Sequence, residues 1–129
     1  MASNAKILLF HVKPEKTKQI ESVCRSLKLQ PVKIKSSSYK QKLGYLAGIK
    51  GFNRENTVYQ GPDFPSEMLV FSGMDSNMVD TFLAKCRESF IPPINLKAVL
   101  TPHNVSWSAE ILYKELLKEH LRFSQNNNK

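Results

Sequence analysis

Two short, uninterrupted apolar runs limit the folds open to this chain more than any other feature of its sequence. Residues 6–12 (Lys-Ile-Leu-Leu-Phe-His-Val) and residues 68–71 (Met-Leu-Val-Phe) show no alternation of apolar and polar side chains. Strands of parallel sheets, which helices cover on both faces, have this pattern. The runs therefore predict an α/β protein with these two strands at the centre of its sheet.

An amphipathic pattern and a second strand follow each run. Pro14 suits the first turn of a helix whose apolar stripe ends at Leu27, and residues 32–35 alternate like a half-exposed edge strand. After the second run, Asp75 or Ser76 can cap a helix, Pro92-Pro93 ends it, and residues 96–101 form a fourth strand. The predicted inward face of that helix consists of Met78, Val79, Phe82, Leu83, Cys86 and Phe90.

The remaining elements are less clearly marked. Ser36–Ser38 can cap a weak helix that carries Leu43, Leu46 and Ala47, and residues 57–60 are a candidate extended piece. Ser106 or Thr101 can cap the last helix. The side chains expected to face inward from it are Trp107, Ile111, Leu112, Leu116 and Leu117.

The two halves resemble each other at an offset of 61–62 residues. Residues 8–10 align with 69–71, Cys24-Arg25 with Cys86-Arg87, and residues 31–35 with 93–97. With the repeated strand–helix–strand–helix order, this favours an internal duplication. We predict a single domain over residues 1–129, with βαβα halves at 1–50 and 67–123, a connector at 51–66 and a disordered tail at 124–129.

Strand and helix alternation predicts a four-stranded, mostly parallel sheet with helices on both faces. A parallel return needs a crossover connection, and right-handed crossovers favour the strand order 2-1-3-4. A ferredoxin-like sheet with antiparallel neighbours is the alternative, and the continuous apolar runs speak against it. In the preferred arrangement the two central strands point the same way.

Composition restricts the classes of protein and of partner. The chain has no apolar leader region, no run near the roughly 18 apolar residues that span a bilayer, and two cysteines, too few for a disulfide framework. A cytoplasmic protein without a membrane partner is expected. Residues 1–60 hold twelve Lys and Arg against three Glu, whereas residues 61–129 hold seven against eight acidic residues, so an anionic partner would meet the first half.

Polar residues follow several strands, and this predicts a site. Ligands of open α/β sheets bind beyond the carboxyl ends of the strands. If the central strands are parallel, that edge collects a candidate ligand-binding set made of His11, Lys13, Ser72, Thr101, His103, Asn104 and Trp107. Turn and helix-cap roles explain residues 101–107 equally well, and they are the preferred interpretation of that stretch.

Catalytic and metal-binding motifs are missing from the sequence. A metal site of His11, His103 and Asp75, or a nucleophilic group of Ser72, His103 and Asp75, lacks any recognised spacing, and no glycine-rich phosphate loop is present. No metal and no cofactor are therefore expected, and whether the protein is an enzyme stays open. The cysteines are interpreted as core residues.

Nucleic acid is a further candidate partner. Basic residues interleaved with Tyr39, Tyr45 and Phe52 resemble the combination that single-stranded nucleic-acid binders use, although no RNA-binding motif is recognisable. The basic residues concerned are Lys33, Lys35, Lys40, Lys42, Lys50 and Arg54.

The second half also resembles a known family. Residues 95–107 (Asn-Leu-Lys-Ala-Val-Leu-Thr-Pro-His-Asn-Val-Ser-Trp), the helix end at 115–120 and residues 68–73 are similar to a family of short bacterial proteins classed as a domain of unknown function, family 3783. The resemblance covers residues 67–123, and residues 1–60 only as a looser copy. It implies a bacterial, cytoplasmic protein and carries no activity, cofactor or catalytic residue.

These observations favour a non-enzymatic binding or regulatory module. Its site would lie at the carboxyl ends of the strands and hold a small anion or a partner protein. The alternatives are a small enzyme that uses His11, His103 and Asn104, and a basic nucleic-acid-associated protein.

Overall fold

A computed structural model describes the backbone of residues 5–127 and the side chains of residues 5–122. A 3₁₀ turn at Ser36–Ser38 precedes the second helix. The helices and strands of the described residues are β1 (Lys6–Phe10), α1 (Pro14–Leu27), β2 (Gln30–Ile34), α2 (Leu43–Leu46), β3 (Met68–Ser72), α3 (Ser76–Glu88), β4 (Leu96–Val99) and α4 (Ala109–Asn127).

The four strands form one sheet in the order β2-β1-β3-β4, as predicted, with the two apolar strands at its centre. β1 pairs with β2 in parallel, and β3 pairs with β4 in parallel. The central pair differs from the expectation: β1 and β3 are antiparallel, with Lys6 opposite Ser72 and Phe10 opposite Met68. The sheet is mostly parallel, but the prediction that its two central strands point the same way was wrong.

The path of the connector explains the antiparallel centre. Lys6, at the start of β1, donates from Nζ to the carbonyl oxygen of Ala47 (2.8 Å). Asp63 lies instead at the other end of β1, where its carboxylate meets His11. The chain between residues 47 and 63 therefore runs back along β1 and starts β3 from the edge at which β1 ends. A strand that enters from that edge has to run antiparallel to β1.

Helices cover both faces of the sheet, which makes the central strands apolar on both sides. Ile7 and Leu9 pack with α1 and α3, in a cluster that includes Ile20 and Phe82. Leu8 and Phe10 face the opposite side, where α2, α4 and the connector pack on the sheet. Alternate residues of one strand thus enter two separate cores, so the run shows no polar alternation.

Several predicted details were wrong. Ser36–Ser38 form the 3₁₀ turn rather than a cap, α2 is a single turn, and the cap of α4 is Ser108, whose Oγ accepts from the backbone N–H of Ile111 (3.2 Å). Ile111 and Phe90, expected to face inward, are 50% and 90% exposed. Residues 57–60, the candidate extended piece, belong to no helix or strand, and their extended conformation stays a prediction. α4 extends to Asn127, into the predicted tail, and residues 128–129 lie outside the described residues.

The two halves make reciprocal hydrogen bonds. From the first half, the Leu43 N–H donates to the Trp107 carbonyl and the Gly44 N–H donates to the Val105 carbonyl. From the second half, the Ala109 N–H donates to the Gln41 carbonyl and the Glu110 N–H donates to the Tyr39 carbonyl. Each donor and each acceptor lies 66 positions from its counterpart in the other half. Left-handed backbone also recurs at an offset of 62, at His11 and Gly73 and at Lys28 and Phe90. An approximate two-fold axis between β1 and β3 produces this reciprocity.

Among the helices of the described residues, none is long and apolar enough to cross a membrane.

Candidate functional site

The antiparallel centre divides the predicted site between two edges of the sheet. We call the edge at which β1 and β2 end the His11 edge, and the edge at which β3 and β4 end the His103 edge. His11 and Lys13 lie at the first, whereas Ser72 and residues 101–107 lie at the second. Because β1 spans five residues, the two groups are separated by at least about 13 Å. The predicted meeting of all seven residues in one crevice was therefore wrong.

At the His103 edge, Asn104 holds the turn between β4 and α4. Its amide oxygen accepts from the Thr101 N–H (2.9 Å), its amide nitrogen donates to the Val99 carbonyl (3.1 Å), and its own backbone N–H donates to Thr101 Oγ1 (3.2 Å). Asn104 is buried, so these bonds satisfy its polar groups within the fold. His103 contacts Trp107 edge to face, with ring centroids 5.2 Å apart. These contacts are those of a turn and helix start.

At the His11 edge, three polar side chains form a connected group. The Tyr39 hydroxyl donates to Asp63 Oδ1 (2.5 Å), and His11 Nδ1 lies 3.0 Å from Asp63 Oδ2. Asp63 also accepts the backbone N–H of Phe64 (2.8 Å). Tyr39 is buried, while the side chains of His11 and Asp63 are 42% and 47% exposed. The group therefore runs from the core to the surface.

Asp63 sets the proton position on His11. Burial pushes the pKa of Asp63 upward, but the hydrogen bonds from Tyr39, His11 and Phe64 outweigh it, so the net pKa lies below the ordinary value. Burial is also the main cause that raises the pKa of Tyr39, so its hydroxyl keeps its proton. An ionised carboxylate only accepts hydrogen bonds, so His11 Nδ1 must carry a proton. Its other nitrogen, Nε2, has no hydrogen-bond partner among the described residues.

The backbone of His11 is held in an uncommon conformation. Its φ is 55°, in the left-handed region, where a residue with a Cβ costs roughly 1–2 kcal/mol. The equivalent position of the second half is Gly73, at φ 70°, for which the same backbone is easily reached. The chain thus places a histidine, at an energetic cost, where the turn itself needs only glycine.

Beside His11 opens a cleft of about 500 Å³ between the start of α1 and the end of β2, which we call the basic cleft. Its charged lining consists of Lys13, Lys33 and Lys35 against the single carboxylate of Asp63. None of the three lysine side chains forms an ion pair with a described residue. The cleft thus combines an excess of positive charge with a volume in the range of small-molecule sites.

A second cleft of about 290 Å³ lies on the other side of His11 and Lys13 and includes Glu67 and His120. Here the charges are balanced. Lys16 Nζ is 2.6 Å from Glu67 Oε1, and the Lys13 backbone N–H donates to Glu67 Oε2 (3.2 Å). The basic cleft is therefore the better place for an anion.

The six basic residues predicted to meet nucleic acid do not share one cleft. Lys33 and Lys35 line the basic cleft, whereas Lys40 and Lys42 line another cleft of about 390 Å³ together with Glu55. Lys40 pairs with Glu110 (2.7 Å), and Lys42 lies 3.6 Å from Glu55. The remaining two, Lys50 and Arg54, are exposed and line neither cleft.

The basic cleft has no counterpart at the equivalent positions of the second half. The approximate two-fold axis relates His11 to Gly73 and Lys13 to Asp75. The strand register relates Lys33 and Lys35 to Val99 and Thr101, so the sequence alignment of residues 31–35 with 93–97 was displaced by four positions. His11 and the three lysines of the cleft are thus replaced at the other edge by neutral or acidic residues. The departures from symmetry concentrate at the His11 edge.

The sequence pattern did not reveal Asp63 and Tyr39. They are separated from His11 by 52 and 28 positions, and no motif spacing connects the three. Among the described residues, no three His, Cys, Asp or Glu side chains come close enough together to hold a metal ion.

Comparison with known proteins gives one match. The model of a family described as a domain of unknown function (DUF3783) matches residues 67–123, so the resemblance of the second half is confirmed. No curated protein matches the chain. No solved structure matches it either. The matched range contains the His103 edge and excludes His11, Lys13, Lys33, Lys35 and Asp63, so the family match does not bear on the basic cleft.

Proposed function

We propose that this protein is a small binding module that holds a small anion in the basic cleft. One observation carries the proposal: three lysines that pair with no described carboxylate line a cleft at the carboxyl ends of β1 and β2, beside a histidine whose Nε2 has no hydrogen-bond partner in the part of the chain that the structure describes. Lys13, Lys33 and Lys35 would supply the charge. His11, held by Asp63, would supply one directed hydrogen bond.

The contrast between the halves supports this assignment. We infer that they arose by duplication of one βαβα unit, because they share hydrogen bonds and left-handed positions at constant offsets. Residues needed for the common fold are expected to recur in both halves. His11 and the cleft lysines do not recur, and His11 has strained backbone, so their presence is better explained by binding than by folding.

A shared catalytic site of His11, His103 and Asn104 is not proposed, because His11 lies at the opposite edge from the other two residues. The alternative ligand is single-stranded nucleic acid, a chain of phosphate groups that would bind through the same basic residues. It would use Lys33 and Lys35 in the basic cleft, while Lys40 and Lys42 already face carboxylates. The small anion therefore has the stronger support.

The test is a titration of the ¹⁵N-labelled protein with inorganic phosphate and with pyrophosphate, followed by amide chemical shifts. Shifts are expected at residues 11–17 and 33–36. The double variant Lys33→Met/Lys35→Met should bind pyrophosphate at least about tenfold more weakly, since two charges facing the anion are lost. The matched control, Lys114→Met/Lys118→Met, removes the same charge from exposed positions on α4.

Three results would contradict the proposal. The amide shifts could be scattered over the surface, the two double variants could weaken binding equally, or the His11→Ala variant could bind as tightly as the natural protein. A single-stranded hexanucleotide added in competition separates the alternatives. If it binds far more tightly than pyrophosphate, with a steep dependence on salt, nucleic acid is the ligand.

A further inference from the structure

An apolar cleft lies on the α1 and α3 face of the sheet, away from the basic cleft. We call it the Cys86 cleft. It has a volume of about 350 Å³. Its apolar lining comes from α3, from the segment that follows α3, from α1 and from β3: Leu83, Cys86, Ile91, Ile94, Ile20 and Leu69. A concave apolar surface of this size is suited to receive one or two large side chains.

Next to this cleft stands the most exposed large apolar side chain of the described residues. Phe90 is 90% exposed, and it precedes Ile91, which lines the cleft. Its φ is 58°, because it ends α3 in the left-handed conformation, with its N–H donating to the Arg87 carbonyl (3.0 Å). Glycine usually occupies such a position.

The first half shows that the backbone does not require an aromatic residue here. The equivalent residue, Lys28, ends α1 with a φ of 60° and is a polar, exposed residue. Phe90 therefore combines the conformational cost of a left-handed side chain with the solvation cost of an exposed aromatic ring. No contact within the described fold offsets either cost, because the Phe90 ring is almost wholly in solvent.

Charge selects between the possible occupants of the cleft. Its charged lining residues are Arg87 and Lys97, both basic, and no carboxylate lines it. Lys97 Nζ donates to the Ile94 carbonyl (2.6 Å), which fixes its ammonium group at the cleft. A second copy of the chain would bring the same basic residues towards these across a two-fold interface. An acidic partner would instead find opposite charges.

We propose that Phe90 and the Cys86 cleft form a docking surface for an acidic segment of a partner protein that carries large apolar side chains. The apolar side chains of the segment enter the cleft and pack on the Phe90 ring. Its carboxylates pair with Arg87 and Lys97 at the rim. Apart from Ile20, this surface lies within residues 67–123, the range matched by the family model, whereas the basic cleft lies outside it.

The experiment is a selection of a phage-displayed library of random 16-residue peptides on the full chain. The expected result is a set of peptides enriched in Asp and Glu together with Phe, Leu or Trp. Synthetic versions of these peptides are then measured by fluorescence anisotropy. The variants Phe90→Gly and Arg87→Glu should each bind at least tenfold more weakly, while Ile111→Ala, an exposed apolar residue on α4, should bind within twofold of the natural protein.

Measurements of the melting temperature and of pyrophosphate binding show whether Phe90→Gly removes only the docking surface or disturbs the fold. Phe90→Gly should not lower the melting temperature, because glycine relieves the left-handed strain, and it should leave the pyrophosphate titration unchanged. The proposal is overturned if no peptides are enriched, if the enriched peptides are neutral or basic, or if they bind Phe90→Gly as tightly as the natural chain. A dimer that Phe90→Gly dissociates would also overturn it, in favour of self-association.

Discussion

Phe64 offers the sharpest test of the structural reasoning, because it lies in a connector without helix or strand and yet belongs to the core. Its side chain is 4% exposed. Its ring stacks between Tyr39, at a centroid distance of 3.8 Å, and Tyr113, at 4.0 Å. Truncation of a buried Phe to Ala typically costs about 3–5 kcal/mol, and an aromatic pair adds about 0.5–1.5 kcal/mol beyond its buried area. We expect Phe64→Ala to lower the free energy of unfolding by about 4 kcal/mol.

A second substitution separates apolar volume from ring stacking. Phe64→Leu keeps most of the apolar side chain and loses both stacked pairs, so its cost should be about 1–3 kcal/mol. Because small domains are stable by only about 5–15 kcal/mol, the alanine variant should be close to partial unfolding at 37 °C. Urea denaturation at 25 °C and pH 7, followed by far-UV circular dichroism, measures both free energies.

Phe90→Ala is the matched control, since it makes the same chemical change at a position that is 90% exposed. It should change the free energy of unfolding by less than about 0.5 kcal/mol. If Phe64→Ala costs no more than Phe90→Ala, the connector does not pack into the core as described. In that case the position of Asp63, whose carboxylate accepts the Phe64 N–H, would lose its support as well.

Three further changes test separate parts of the structure. Asp75 caps α3 by accepting the Met78 N–H (2.8 Å), so Asp75→Ala should cost about 1 kcal/mol in urea denaturation, and no change would argue against the cap. The pKa of Asp63 is lower in the folded protein than in the unfolded chain, so the ionised carboxylate stabilises the fold above the unfolded pKa, and this stabilisation is lost as the pH falls through the folded pKa. Below about pH 4, the free energy of unfolding should therefore fall less steeply in Asp63→Asn than in the natural protein. Cys24 is buried, and burial raises the pKa of its thiol to about 12, so a thiol reagent at pH 8 should modify Cys24 slowly until urea unfolds the chain, and rapid modification of Cys24 in the folded protein would contradict its assignment to the core.

The sequence pattern predicted a structural feature correctly where that feature depends on neighbouring residues of a single helix, strand or turn. The apolar runs at 6–12 and 68–71 identified the central strands, because a strand covered on both faces has no polar side. Pro14 and Asp75 marked the starts of α1 and α3, since helix ends are governed by neighbouring residues. The same local grammar explained Asn104 as a turn residue, and its hydrogen bonds agree with that interpretation.

Phe90 and Ile111 show the limit of helical spacing. Both fit an apolar stripe in the sequence, but Phe90 lies beyond the last turn of α3, where the backbone changes hand and redirects the side chain. Ile111 lies in the first turn of α4, outside the arc that packs on the sheet, which consists of Ala109, Leu112, Tyr113, Leu116 and Leu117; it fitted the predicted stripe only because that stripe was begun at Trp107, which precedes the helix. Spacing gives the face of a helix only when its ends are known.

The sequence by itself determined the two central strands and the nature of the main elements, because each follows from side chains a few residues apart, and the strand order followed from the crossover connections that alternating strands and helices need. The tertiary structure alone decided the direction of β3 relative to β1, because that direction depends on the edge of the sheet to which the chain runs between residues 47 and 63. This direction separated His11 from His103 and brought Asp63 and Tyr39 to His11 instead. Distances across 28 and 52 residues are set by the path of the whole chain, and no local pattern encodes them.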